Sequence, residues 1–296
     1  MNAEKSRAVV VTGCSTGIGK TCALTLVREG YRVFAGVRKT KDGEALQAEA
    51  GSAALTPLML NVTDAARVER AAEEVRDALG GQGELAGLVN NAGIAVYGPL
   101  ELLPIDTLRR QFEINVIGHV AVTQAFVPLL RRDRGRVIMI GSSSGFLTPP
   151  FLGPYASSKC ALESISDAFR RELAPWGIEV CLMQPGAVIT RLWDKSIDDG
   201  DAWFDALPEA VRRLYAQGFG AMRQLFKDKS GKGITAEKLA ERVLHALTVK
   251  SPRSHYPMGR DTLGYMLMDK LPSRLVDKML AMSLGHTAKG VAQESD

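Results

Sequence analysis

The strongest constraint on this chain's fold is the recurrence of short apolar runs separated by helical patterns. Residues 8–11, 31–37, 54–60, 86–89, 136–140 and 178–183 are nearly continuous in hydrophobic character, as strands buried on both faces must be. Between them, stretches such as 65–79 and 105–130 repeat apolar positions at the helical period. Alternation of this kind builds βαβ units, and right-handed crossovers then give a doubly wound parallel sheet of the Rossmann type, an α/β three-layer fold. Ligands of such sheets sit over the carboxyl ends of the strands. Residues that directly follow each run are therefore the place to look for function.

The first run, continuing from Arg7, ends in Thr12-Gly13-Cys14-Ser15-Thr16-Gly17-Ile18-Gly19 and enters a helix-like segment over 18–28. Gly13, Gly17 and Gly19 permit a tight turn, close approach of backbone to a pyrophosphate, and tight packing of helix on strand. Ser15, Thr16 and Ile18 line the same turn, and the helix N-terminus presents unpaired N–H groups to phosphate. The spacing is GxxxGxG rather than GxGxxG. The second run ends Gly36-Val37-Arg38-Lys39, with no acid before Asp42. An acidic residue there would bind a ribose 2′-hydroxyl, whereas arginine suits a 2′-phosphate. Arg38 thus points to NADP(H) over NAD(H).

Tyr155 and Lys159 lie i, i+4 in GPYASSKCALESI, which on a helix brings their Cβ atoms to roughly 5–6 Å. A free tyrosine, with a pKa of about 10, is a poor acid or base near neutrality unless a fixed cation favours its phenolate. Lys159 is expected to supply that cation. Asn90-Asn91-Ala92-Gly93 follows the fourth run, Asn115 lies in a long helical segment, Ser142 follows the fifth run, and Pro185-Gly186 follows the sixth. With TGxxxGxG, NNAG, Asn, Ser, YxxxK and PG all in order, the chain resembles the short-chain dehydrogenase/reductase family from about residue 7 to 190.

That resemblance implies reversible hydride transfer between a nicotinamide and an alcohol or carbonyl carbon, with no metal. Tyr155 is implied as acid/base and Lys159 as its tuner and a holder of the nicotinamide ribose. Ser142 is implied as the group that positions the substrate oxygen, ahead of Ser143 and Ser144, because it stands three residues before Gly145 and thirteen before Tyr155. Asn115 is implied to hold a water that links Lys159 to solvent. Asn90, Asn91, Ala92 and Gly93 become a wall of the adenosine site. Asn61-Val62 occupies the place of an Asp-Val pair that usually contacts adenine. Pro185, Gly186 and Thr190 resemble the border of the nicotinamide, with Thr190 a candidate for its carboxamide. Residues 252–261 and 271–275 resemble the tail of the retinol and hydroxysteroid dehydrogenase branch, which implies a bulky lipophilic substrate. Family members are mostly dimers or tetramers, so a homo-oligomer is expected.

The remaining sequence bounds the reading. No linker or charge block divides the 296 residues, so one domain spanning 1–296 is expected. A formal charge of +4 with scattered cations gives no stripe for nucleic acid. Cys14, Cys22, Cys160 and Cys181 show neither CxxC nor metal spacing and fit a reducing compartment. No signal peptide is read at the N-terminus, and no apolar run approaches the ~20 residues of a membrane span; a cytoplasmic enzyme is expected. Over 187–233 the pattern loosens, with acidic residues and glycines among aromatics, and a mobile substrate lid walled by Trp193, Trp203 and Phe204 is expected. Beyond it, a helix over 236–247, a short strand near His255 and Tyr256, and a helical extension over 260–296 broken at Pro272 complete the reading. The rivals are a reductase of small or polar carbonyls, a YxxxK epimerase or dehydratase, and a non-catalytic dinucleotide sensor. The epimerase needs a larger C-terminal domain, and the sensor has no use for an intact Asn, Ser, Tyr and Lys set.

Overall fold

The computed structural model describes residues 7–80, 83–229 and 231–283. Seven strands form one parallel sheet: β1 (Arg7–Val11), β2 (Arg32–Val37), β3 (Leu55–Met59), β4 (Glu84–Asn90), β5 (Arg136–Ile140), β6 (Glu179–Pro185) and β7 (His255–Met258), in the order β3-β2-β1-β4-β5-β6-β7. The order reverses between β1 and β4, and every pairing is parallel. That reversal opens the crevice in which doubly wound sheets bind ligands.

Connecting helices are α1 (Gly17–Arg28), α2 (Thr40–Ala50), α3 (Ala65–Leu79), α4 (Ile105–Phe112), α5 (Gly118–Asp133) and α6 (Gly153–Leu173). After β6 come α7 (Arg191–Asp205), α8 (Glu209–Lys229) and α9 (Ala236–Thr248), and after β7 come α10 (Arg260–Met268) and α11 (Ser273–Ser283). One face of the sheet packs on α3, α5 and α6 through a core that includes Val75, Val122, Phe126 and Leu162, and the other packs on α1 and α9 through Leu26, Leu239 and Val243. The α3 cap shows how locally such an element is fixed: the Asp64 side chain accepts the Arg67 N–H at 3.0 Å, and the apolar positions Val68, Ala71, Val75 and Leu79 recur at helical spacing behind it.

The long segment expected over 105–130 is helical but not uniform. A single π-turn, Glu113–Ile117, joins α4 to α5 and holds Asn115, a local irregularity that often accompanies function. By length and mean hydropathy (1.3), Ile105–Asp133 alone would pass for a membrane span, a feature the sequence reading missed. It nevertheless packs against β4 and α3, and 56% of its most apolar window is buried, as in a core helix.

Residues 187–233 fold as two helices rather than the loose segment expected. Their base is stapled by a parallel bridge between Val188 and Ile234, with Ile234 N–H donating to Ala187 O at 2.9 Å and Ile189 N–H to Ile234 O at 3.0 Å. Gly200 sits inside α7 because a Cβ there would lie 2.4 Å from the Tyr97 ring. A helix usually loses stability from an interior glycine, so this one records a close packing contact. The part of the expected C-terminal extension beyond residue 283 lies outside the described residues; α10 and α11 flank Pro272 as expected.

Candidate active site

A single cavity of about 840 Å³ runs over the carboxyl ends of the strands, from the glycine turn to the aromatic residues of α7 and α8. At one end it is lined by Gly13, Ser15, Thr16, Gly17, Ile18, Arg38, Asn61, Val62, Asn91, Ala92 and Gly93. Gly13 and Gly17 have left-handed φ of 71° and 58°, which disfavours any side chain. A Cβ on Gly19 would meet Asn91 Nδ2 and Gly13 O at 2.4 Å. Gly19 therefore lies behind the cavity wall and acts through helix-on-turn packing. Asn91 locks that packing by donating from Nδ2 to Thr12 O (2.8 Å) and Gly13 O (3.2 Å). The Thr12 hydroxyl accepts N–H bonds from Asn91 and Ala92, both 2.9 Å. Asn90, by contrast, is wholly buried beneath the wall and donates to Thr123 Oγ1 at 2.8 Å.

These residues fit a dinucleotide. No side chain caps the N-terminus of α1 and no acidic residue occupies its first turn, so its N–H groups are free to meet a pyrophosphate. The acidic residues on the cavity wall, Asp199 and Asp261, belong to α7 and α10 rather than to the end of β2, where Arg38 stands. Asn61 turns its Oδ1 back to the Thr63 N–H and hydroxyl, leaving its Nδ2 as the group that can face an adenine.

The catalytic candidates meet midway along the cavity. Ser142, just after β5, accepts the Ser144 N–H at 3.1 Å and stands close enough to Tyr155 to favour its phenolate. Tyr155 and Lys159 occupy one face of α6, with Lys159 Nζ 5.8 Å from the centre of the Tyr155 ring. Nζ donates to Ile140 O at 2.7 Å, fixing the lysine to the strand end from which Ser142 projects. Burial lowers the Lys159 pKa to about 8. Burial also raises the Tyr155 pKa, opposed by Ser142, so the expected net lowering of this phenol is not met by the polypeptide by itself. The cause is desolvation, which disfavours the phenolate and which residue spacing does not reveal.

Asn115 lies in the π-turn that joins α4 to α5. It is fully buried and does not line the cavity. Its amide, expected to hold a water, accepts the Ile94 N–H (2.9 Å) and donates to Ile94 O (3.0 Å) and to Ser158 Oγ (3.2 Å). Ser158 Oγ in turn donates to Tyr155 O at 2.7 Å. The side chain thus ties the π-turn to the β4–α4 loop and to α6, a positioning arrangement. His119, one turn on, is held neutral by burial and by nearby Lys159, with its pKa lowered to about 3. A carbonyl only accepts, so His119 Nε2 donates to Ala92 O at 2.6 Å.

Pro185, Gly186 and Thr190 line the middle of the cavity. Pro185 is the last residue of β6, not the first beyond it, and Thr190 caps α7 by accepting the Leu192 N–H at 3.4 Å. Sequence reasoning missed Asp261. Its Oδ2 accepts the Ala187 N–H at 2.8 Å, and a Cβ on Gly186 would lie only 2.0 Å from its Oδ1. The Pro-Gly turn is therefore glycine because a carboxylate from α10 closes on it. The far end is walled by Tyr97, Leu103, Trp193, Trp203 and Phe226. Trp193 meets the Tyr155 ring edge-on at 5.3 Å. Phe204, expected in this wall, is instead buried under it and stacks on Phe219 at 4.1 Å; it is core because α8 covers it.

Among the described residues no cluster of His, Cys, Asp or Glu could hold a metal ion. The family model for short chain dehydrogenases matches residues 7–201. The chain is 36% identical to an NADPH-dependent 3-dehydrocapnine reductase from Ornithobacterium rhinotracheale, covering 98% of this chain and all of the relative. It is 35% identical to mouse retinol dehydrogenase 5 (96% and 91% covered) and 34% identical to mouse mitochondrial D-beta-hydroxybutyrate dehydrogenase (94% and 84%). A crystal structure of a short-chain dehydrogenase from Streptomyces avermitilis superposes with a TM-score of 0.74 at 28% identity, covering 99% of this chain and all of the other. With its parallel sheet, glycine turn and Ser-Tyr-Lys set in one cavity, the chain belongs to the short-chain dehydrogenase/reductase family, NAD(P)-dependent oxidoreductases acting on small-molecule alcohols and ketones.

Proposed function

We propose an NADP(H)-dependent enzyme that interconverts a bulky lipophilic alcohol and its ketone or aldehyde, with Tyr155 as acid/base. The observation that carries this reading is the meeting of Ser142, Tyr155 and Lys159 in one cavity, between the Arg38-bearing glycine cradle and an aromatic wall. When bound, the dinucleotide supplies or accepts the hydride. In reduction, Tyr155 gives its phenolic proton to the substrate oxygen, which Ser142 holds by a second hydrogen bond. The Lys159 ammonium favours the resulting phenolate, and Asn115 holds α6 against the β4–α4 loop so that the phenol keeps its place. Trp193, Trp203 and Phe226 exclude water and favour apolar substrate surface by about 25 cal/mol per Å².

Helices α7 and α8 would form the lid. It is bolted to the β4–α4 loop by Ser196 Oγ to Ala95 O (2.7 Å), by Tyr97 to Asp201 Oδ1 (3.0 Å), and by Tyr215 to Glu101. Opening this lid therefore means breaking specific polar contacts. A second reading has support of its own. Exposed Arg110 and Lys195 reach the cavity rim and would suit the carboxylate of a small hydroxy acid, and one relative is named a hydroxybutyrate dehydrogenase. A panel of aryl, long-chain and small acidic ketones, followed by NADPH and NADH absorbance, tests both. Rising kcat/KM with apolar size using NADPH supports the first reading, and turnover confined to small acids replaces it with the second.

A further inference from the structure

Six of the twelve large hydrophobic side chains exposed among the described residues fall between 263 and 282: Leu263, Leu267, Leu271, Leu275, Met279 and Met282. Leu263 and Leu267 share one face of α10, Leu275, Met279 and Met282 share one face of α11, and Leu271 lies in the turn between them, so each helix presents an outward apolar ridge. Leu267 and Met282 are 72% and 68% exposed. The opposite side of α10 carries Asp261 and Tyr265, which line the catalytic cavity, and Val276 anchors α11 to the body of the protein. The ridges are consequently held in place by the fold.

The flank on α11 is basic. Arg274 and Lys278 are exposed and one turn apart on α11, and Lys270, in the preceding turn, pairs with Asp269 at 2.9 Å. Arg274 and Lys278 stand roughly 100° around the helix from Leu275 and Met279, and Asp277, the carboxylate of α11, lies nearly opposite Met279. An apolar ridge with cations along its edge matches an anionic lipid surface, where side chains enter the acyl boundary and cations meet headgroups. A second copy would instead bring Arg274 and Lys278 against an apolar face whose α11 carboxylate, Asp277, lies on its other side.

We infer that the outer face of α10 and α11 docks on an anionic lipid bilayer and thereby holds the cavity beside the membrane surface. The docking does not depend on the substrate reading above; only its use, access to a lipophilic substrate, rests on that reading. The test is flotation of the full chain with vesicles of phosphatidylcholine alone or mixed with phosphatidylglycerol. Binding should need phosphatidylglycerol and fall with salt. Arg274→Glu with Lys278→Glu should weaken it by about fivefold or more per cation, and Leu267→Ser with Met282→Ser by at least about tenfold. These residues lie outside the catalytic machinery, so both double variants should keep the wild-type thermal midpoint and NADPH affinity. Absence of vesicle binding, or equal binding by wild type and both variants, overturns the inference. So does a dimer that the wild type forms and the Leu267→Ser, Met282→Ser variant does not, which would make the ridges a contact between copies. A substrate panel that favours small acids would overturn the substrate reading and leave the vesicle result standing.

Discussion

Replacing Tyr155 by phenylalanine separates chemistry from structure more cleanly than any other change in this protein. The ring is nearly buried and meets Trp193 edge-on at 5.3 Å, and phenylalanine preserves that contact. What is lost is one hydroxyl near Ser142, whose oxygen still accepts the Ser144 N–H. A neutral hydrogen bond contributes about 0.5–1.5 kcal/mol net, and removing a buried hydroxyl recovers part of that through desolvation. Stability should therefore change by about 1 kcal/mol or less, a few degrees at most in thermal midpoint. General acid–base catalysis is worth about 10²–10⁴-fold, or about 3–5 kcal/mol of barrier. Single-turnover oxidation of NADPH with a ketone substrate should thus slow at least a hundredfold, while NADPH affinity by fluorescence titration stays within about twofold. A variant retaining half the wild-type single-turnover rate would refute the role of Tyr155. Equal losses of activity and stability would show instead that the hydroxyl is structural.

Lys159→Met should reduce kcat and move the pH profile upward, because the cation that favours the phenolate is gone. Its stability effect has a definite sign: Lys159 has a folded pKa of about 8 against 10.5 unfolded, so the unfolded chain binds more protons between those values, and wild-type stability gains on the variant as pH rises through that window. Denaturant melts that show the gap moving the other way would contradict this. Arg38→Asp should raise the KM for NADPH while sparing or lowering that for NADH, with Lys39 blunting the effect; equal changes for both cofactors would remove Arg38 as the discriminator. Tyr97→Phe removes the tie to Asp201 and should speed hydrogen exchange in α7 without altering β1 to β5; unchanged exchange there would mean the apolar contacts alone hold the lid.

Where a strand is buried on both faces, its run of Val, Ile and Leu leaves little else to build, so β1, β2 and β5 stand within a residue or so of where hydrophobicity puts them. The glycine turn, NNAG, Ser142 and YxxxK were legible for a related reason. Each follows a strand end or sits on a helix, and the sheet brings all those ends to one cavity. The illegible features depend on partners distant in sequence. Gly200 looked like a break in 187–233, yet it is a helical position shaped by Tyr97. Phe204 looked like a cavity wall because composition does not show that α8 covers it. Asp261 lies 74 residues beyond the Ala187 N–H that it accepts, and no local pattern marks the pair. The π-turn at Asn115 keeps a nearly helical apolar period, so its altered hydrogen bonding leaves no trace in spacing.

The two central titrating groups are each shifted by burial toward their neutral forms, Lys159 downward and Tyr155 upward. A pKa of about 8 still leaves Lys159 an ammonium at neutral pH, and the phenolate that reduction leaves behind must be stabilised locally. The Lys159 ammonium, 5.8 Å from the ring centre, is the nearby opposite charge that favours this phenolate. Ser142 acts in the same direction, and Ile140 O holds the ammonium in place. In the polypeptide desolvation outweighs the Ser142 contribution, so the phenol rests protonated rather than ionised. Held protonated, Tyr155 can give its proton in reduction, and the nearby ammonium favours the phenolate that oxidation needs as its base. A tyrosine pulled far down would fail as the acid for ketone reduction, and one left fully raised would fail as the base for alcohol oxidation.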